Sequence, residues 1–310
     1  MEDDTLDCLV IGAGPAGLTA GLNLNRFLRR VLIIDAGHSR ASLIPCTYNY
    51  PGYPDGISGN ELLDQLRRQL EFNGGSVSQG KVLRLLRDND QGVFLAETEK
   101  ETLRAKTVVL ATGVIDIEPK LDGFDEIKHK GLVRYCPICD GKEFINLRIG
   151  VITNGDDHGV NECLFIKHFS AELTMIGVTG DCQPDQRMTD RLDRERISLV
   201  QGQAKRIRAD EHDVLHLEME GGQSHEFDAL YCSLGTSVRS ELGRELGARR
   251  TEDGNLIVDA HMQTGVEGLY AVGDMTNHLS QITVATGQAA IAATAVHNRL
   301  LKETYRHAKR

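Results

Sequence analysis

Apolar residues along this chain gather in short runs that end on glycine, with mixed polar stretches between them. In DCLVIGAGPAGLTAGLNLNRFLRRVLIIDAG, an apolar run at Cys8–Ile11 gives way to a helical pattern through about Arg29. A second apolar run follows at Val31–Ile34. Such runs predict strands of a parallel sheet, and the periodic stretch between them predicts the crossover helix of a βαβ unit. The pattern starts again near Arg148, with a strand over Ile149–Thr153, a helix around Val160–Phe169 and a strand over Glu172–Ile176. TVVLATG at Thr107–Gly113 and GLYAVGD at Gly268–Asp274 read as two further buried strands, each closing on a glycine turn. The segment SQITVATGQAAIAATAVHNRLL then reads as a long helix rich in small residues. Two Rossmann-like units in one chain predict an α/β protein. The points where strand-and-glycine units end place the second domain inside the first: residues 1–115 and 241–310 form one, residues 116–240 the other.

Composition narrows the function. A chain of 310 residues has room for two buried cores. A formal net charge of −10 argues against nucleic acid as a partner. The start, MEDDTLDCLVIGAG, is acidic and enters a strand at once, and no run approaches the ~18 apolar residues of a membrane span. A cytoplasmic protein with no membrane partner is the expectation. Seven cysteines are present, and only Cys136 and Cys139 are closely spaced. Cys8, Cys46, Cys163, Cys182 and Cys232 are scattered, as free thiols in a reducing compartment would be.

Gly12, Gly14 and Gly17 form GxGxxG between the first strand and the first helix. The first glycine makes a tight turn, the second admits a pyrophosphate to the backbone, and the third lets helix pack on sheet. The helix N-terminus, from Pro15 and Ala16 onward, faces the phosphates. Asp35 ends the second strand, where its carboxylate can bind ribose hydroxyls. The motif alone does not say which dinucleotide binds.

The stretch YCPICDG at Tyr135–Gly141 is open to two readings, half of a metal site or a redox dithiol. Zinc needs four ligands at suitable spacing, and no second cysteine pair or histidine cluster complements this one. CxxC beside βαβ patterning favours redox chemistry, and no metal is assigned. Pro137 restrains the turn. A helix starting at the motif would lower the pKa of the exposed cysteine, and Asp140 is placed to move a proton to or from a thiol.

With these motifs the chain resembles the low-molecular-weight thioredoxin reductases, which set CxxCDG in the second domain just before its nucleotide turn. The likeness runs over almost the whole length and includes NYPGYPDGISGNELL at Asn49–Leu63. It implies a homodimeric flavoprotein with FAD bound by the first glycine turn. It implies that Asn49, Ala111, Thr112, Gly113, Gly273 and Asp274 flank that FAD. The long helix, starting near Gln281 and Ile282, would aim its N-terminus at the flavin. The small residues Ala285, Gly287, Ala289 and Ala290 would let its backbone approach closely. Cys139 would exchange electrons with the flavin, Cys136 would exchange with the substrate sulfur, and Asp140 would be the acid/base. The partner would be a thioredoxin-like protein or a small disulfide or dithiol.

One region departs from the resembled pattern. Those proteins bind NADPH through GxGxxA and an arginine-rich segment after the next strand. Here the turn reads TNGDDHGVNE, and its motif positions hold either Thr153, Gly155 and His158 or, one step on, Asn154, Asp156 and Gly159. Asp156 and Asp157 place negative charge where a pyrophosphate belongs, a repulsion of roughly 1 to 4 kcal/mol. GVTGD at Gly177–Asp181 carries no arginine, and Arg187 and Arg191 lie too far along to assign. The expectation is poor NADPH binding. Electrons would then come from reduced ferredoxin, pass through a second flavin in the NADPH-like site, or flow from a substrate dithiol to dioxygen. A flavin-binding redox sensor, without turnover, is the contrasting class.

Overall fold

The structure, a computed structural model, describes residues 4–178 and 184–307. Along the chain come β1 (Leu6–Ile11), α1 (Pro15–Arg26), β2 (Val31–Asp35), α2 (Gly59–Phe72), β3 (Val77–Gln79), β4 (Val82–Asp88), β5 (Val93–Thr98), β6 (Thr102–Leu110) and β7 (Val114–Asp116). There follow α3 (Phe124–His129), β8 (Val133–Arg134), α4 (Pro137–Asp140), β9 (Ile149–Thr153), α5 (Asp157–Ile166), β10 (Leu173–Gly177), α6 (Gln186–Arg194) and β11 (Ser198–Val200). The chain closes with β12 (Ala204–Ala209), β13 (Leu215–Met219), β14 (Ser224–Phe227), β15 (Ala229–Ser233), β16 (Thr236–Val238), α7 (Glu241–Glu245), β17 (Leu269–Ala271) and α8 (Ile282–His307).

Two compact units result. The first comprises residues 1–46, 50–115 and 237–310, the second residues 47–49 and 116–236. In the first unit the sheet runs β3-β2-β1-β6-β5-β4, with β17 also on β6. The β3, β2, β1, β6 and β17 pairings are parallel, and β4 and β5 join antiparallel. Leu9 and Val10 are fully buried on opposite faces of β1, which is why this strand is apolar throughout rather than alternating. On one face α1 packs against α8 through Leu18, Ala289, Ala292, Ala293 and Val296.

The second unit carries a parallel sheet, β11-β10-β9-β15-β8, and an antiparallel three-stranded sheet, β12-β13-β14. All five residues of β9 and of β15 are buried, and the ends of these two neighbours carry the residues discussed below.

Several boundaries fall elsewhere than the pattern predicts, two of them with a plain local cause. Helix α1 stops at Arg26 rather than Arg29, because Leu28 takes a left-handed conformation and the amide of Arg29 turns back to the carbonyl of Leu24. Helix α5 starts three residues early, at Asp157, because Asp156 caps it. Among the described residues no helix is long and apolar enough to cross a membrane, and no cluster of side chains is arranged to hold a metal ion.

Candidate functional site

In the first unit, the turn after β1 is built around glycine because nothing larger fits. Gly12 has a φ of 105°, and a Cβ there would lie 2.3 Å from the Ala111 carbonyl oxygen; one on Gly17 would lie 1.8 Å from the Gly12 oxygen. Gly14 is the N-cap of α1 and makes no side-chain cap bond, Pro15 follows it, and the first turn holds no acidic residue. The end of this helix is therefore an open backbone surface of positive character, suited to a pyrophosphate. Asp35 braces the turn: its Oδ1 accepts from the Ala13 amide at 3.0 Å and its Oδ2 from the Gly37 amide at 3.1 Å.

The other predicted cofactor residues of this unit gather at the same sheet ends. Ala111 receives the close approach of Gly12, and Ala16 that of Gly273, where a Cβ would come within 3.2 Å. Thr112 donates its hydroxyl to the Arg239 carbonyl at 2.6 Å, and Gly113 has a φ of 65° with open space beside it. Asp274 pairs with Arg40 at 3.3 Å. Helix α8 begins at Ile282, with the Ala285 amide on the Gln281 carbonyl. Its small residues divide, against the expectation that all serve close approach. Ala285 and Ala289 are buried in the core with α1, whereas Gly287 faces open space, because four residues of one helix within six positions cannot share a face. Pattern reading missed Gln288, a buried side chain whose Oε1 accepts from the Gly273 amide at 2.7 Å and whose Nε2 donates to Thr276 at 3.1 Å. A glutamine inside an alanine-rich helical face was the available signal.

In the second unit, Cys136 and Cys139 are joined as a disulfide, with Cα atoms 5.4 Å apart. Cys136 is the N-cap of α4, and the Cys139 amide donates to the Cys136 carbonyl at 3.0 Å. The helix at the motif is a single turn, followed by a 3-10 turn over Gly141–Phe144, so a long macrodipole does not stand behind the cysteine as expected. Gly141 is required by packing: a Cβ would lie 2.7 Å from the Phe169 ring. Asn49 donates to the Ile138 carbonyl, between the two cysteines, at 3.3 Å, and accepts from the Thr47 hydroxyl at 2.8 Å.

Asp140 lies in a network that the motif does not announce. The fully buried Tyr231 of β15 donates to its Oδ1 at 2.6 Å, and Arg134 of β8 approaches its Oδ2 at 3.4 Å. Burial pushes the Asp140 carboxyl above its ordinary range, opposed by the Tyr231 hydrogen bond and the Arg134 charge and reinforced by Glu143. Burial likewise pushes Tyr231 far up, so its hydroxyl remains a donor. Of the remaining cysteines, Cys8, Cys46, Cys163 and Cys232 are outside any disulfide; Cys182 lies outside the described residues. Burial raises both Cys8 and Cys232 to about 12, which makes them poor nucleophiles.

The second glycine turn also resolves. Strand β9 ends at Thr153 and Asp156 is the N-cap of α5, as Gly14 is of α1, so the motif positions hold Asn154, Asp156 and Gly159. Only the third keeps its glycine, whose Cβ would lie 2.5 Å from that of Thr153. Asp156 accepts from the Gly159 amide at 2.9 Å, filling the helix end that Gly14 leaves open. Asp157 receives both arginines that the sequence left unassigned, Arg187 at 2.6 Å and Arg191 at 3.4 Å. Arg191 also donates to Asn161 at 2.7 Å. Asp181 and its neighbours from Thr179 lie outside the described residues.

Comparison with known proteins gives the family. Residues 6–289 match the pyridine nucleotide-disulphide oxidoreductase family. The thioredoxin reductase of Treponema pallidum is 30% identical over 95% of this chain and 97% of its own. A thioredoxin reductase structure from Streptococcus pyogenes is 28% identical, with a TM-score of 0.87 over 97% of this chain and 100% of that one. The structure of HlmI, 24% identical with a TM-score of 0.90 over 99% of this chain and 96% of that one, shares the fold. The chain belongs to the pyridine nucleotide-disulphide oxidoreductase family, as a flavin-dependent, thioredoxin reductase-like disulfide oxidoreductase.

Proposed function

We propose that this enzyme works through the Cys136–Cys139 couple and one FAD, and that it does not draw electrons from free NADPH. The observation that carries the reading is the N-terminus of α5, which its own carboxylates occupy. A dinucleotide would have to displace Asp156 from the Gly159 amide and meet Asp157 in the same turn, against a repulsion of roughly 1 to 4 kcal/mol per charge pair. Arg187 and Arg191 are engaged with Asp157. The same carboxylates oppose the pyrophosphate of a second flavin, so the reading assigns a single flavin, to the first unit.

There the amides of Gly14, Ala16 and Gly17 would hold the pyrophosphate, let in by the tight turn at Gly12, whose own amide bonds the Ile34 carbonyl. Pro15 sets the first helical turn, and Asp35 would hold the ribose. Asn49, Ala111, Thr112, Gly113, Gly273, Asp274, Gln281 and Ile282 would flank the cofactor. Bound FAD supplies two-electron exchange with the sulfur couple. Cys136 exchanges with the substrate sulfur, Cys139 with the cofactor side, and Asp140 gives or takes the proton that a leaving or attacking thiolate needs. The thioredoxin reductases among its relatives support a thioredoxin-like protein or a small disulfide as the substrate to be reduced. The donor would be a reductant other than free NADPH, such as a ferredoxin-type protein.

The test is cofactor extraction followed by anaerobic reduction. One flavin per chain is expected. NADPH and NADH should leave the flavin yellow, whereas dithiothreitol should bleach the wild type and act far less on Cys139→Ser. Bleaching by NADPH within seconds would overturn the donor assignment, and equal bleaching of Cys139→Ser would overturn the role of the dithiol. Peroxide formed from a dithiol in air would reverse the direction of flow.

A further inference from the structure

We infer that Tyr231 and Arg134 are positioning residues that hold the Asp140 carboxylate for proton exchange with the Cys136–Cys139 couple. This rests on the reading of Asp140 as the acid/base. Asp140 directly follows Cys139 and is faced from three sides: by the Tyr231 hydroxyl of β15, by the Arg134 guanidinium of β8, and by Glu143 of the turn after α4. On its own element the charged groups are the cysteine thiolates that appear once the disulfide opens. The Phe144 ring braces both partners, under the Arg134 guanidinium at 5.1 Å and edge-on to Tyr231 at 6.1 Å. The carboxylate thus has one hydrogen bond and one charge fixing its two oxygens.

Packing alone does not account for these residues. Phenylalanine would fill the Tyr231 site as well, without a hydroxyl to bury. Arg134 keeps one nitrogen, Nη1, buried with no hydrogen-bond partner, which is a cost to the fold. What both supply is control of Asp140. Burial and Glu143 favour the protonated carboxyl; the Tyr231 donor and the Arg134 charge favour the carboxylate. Burial outweighs the two, so the carboxyl lies above its ordinary range, and Tyr231 and Arg134 limit how far.

In the exchange step a substrate thiolate attacks one sulfur of the disulfide. The S–S bond breaks, and the other sulfur leaves with the bonding pair and takes a proton from Asp140. The second substrate thiol then displaces the first enzyme sulfur, closing the substrate disulfide. Two electrons and two protons pass from dithiol to enzyme, one proton by way of Asp140, and reduction of a disulfide substrate is the same sequence reversed.

The experiment uses the purified protein with its bound cofactor. Opening of the disulfide by dithiothreitol is followed by acid quench, alkylation and mass measurement between about pH 5 and pH 9, with rates corrected for the thiolate fraction of the reagent. The wild-type rate should fall above a break in the profile, and Asp140→Asn should lack that break. In Tyr231→Phe the break should move up by roughly one pH unit, tenfold in proton activity, as expected for one lost hydrogen bond to a carboxylate. Arg134→Gln should move it in the same direction and Arg134→Lys restore it, which keeps the test open if Tyr231→Phe fails to fold. An unmoved break in these variants overturns the positioning role while leaving Asp140 as acid/base. A break that survives Asp140→Asn overturns the assignment of Asp140 itself, and the inference with it.

Discussion

A methyl group at Gly17 would lie 1.8 Å from the backbone oxygen of Gly12, and no side-chain rotation can relieve a clash between two backbones. Gly17→Ala should therefore cost about 1–3 kcal/mol, the range of overpacked cores, and should lower bound flavin in parallel. Urea unfolding with flavin fluorescence checks this, and a variant with full stability and full cofactor would contradict it. At this scale the sequence was highly legible. Gly12, Gly14 and Gly17 stood out because they form one local turn, and Asp35 because it is the acid that ends the second strand, although its bond to the Ala13 amide spans 22 positions. Tyr231 was not readable, because a tyrosine in an apolar strand looks like core; only its 2.6 Å bond to Asp140 marks it out.

Helix α8 shows how far an element can be read from composition. Its small residues suggested close approach along the helix, but only those on the α1 face are buried, and Gly287 points into open space. Glycine inside an exposed helix surface costs conformational entropy with no return. Gly287→Ala should stabilise the protein by roughly 0.5–1 kcal/mol, read as a raised urea midpoint with an unchanged slope. A fall in stability would mean that some close contact requires glycine at this position. Helix α5 gives the opposite case. Its sequence allowed two registers for the glycine turn, and the choice follows from packing: the third small residue must sit against the last residue of β9, a condition met by Gly159 against Thr153.

For the molecule as a whole, one contribution to stability against acid comes from a junction between distant parts of the first unit. Arg29, just past α1, donates from Nε to His297 Nδ1 at 3.0 Å and from Nη2 to the His297 carbonyl at 3.2 Å. Desolvation, and then the neighbouring Arg29 charge, lower the His297 pKa below its ordinary 6.5. A lowered folded value means that the unfolded chain takes up the proton first as pH falls. The contribution of this junction is therefore complete above 6.5 and is lost as pH falls below 6.5 through the folded value. His297→Gln should lose stability less steeply than the wild type across that interval in pH-dependent urea unfolding; equal slopes would remove His297 as the cause.

Local pattern determined the α/β class, the two βαβ starts, the first dinucleotide turn and the dithiol, because each is a short-range property: strand period, turn sterics, or two sulfurs three positions apart. It also supplied the acidic residues of the second turn, Asp156 and Asp157. Tertiary structure decided which register that turn adopts, and it brought Arg187 and Arg191 onto Asp157 from 30 and 34 positions away. It also set Tyr231 on Asp140 across 91 positions. These are consequences of strand order, since β15 lies beside both β9 and β8 in the parallel sheet and carries its side chains to the place where the CxxC turn begins. Adjacency of this kind comes from crossover connections, and no spacing along the chain encodes it.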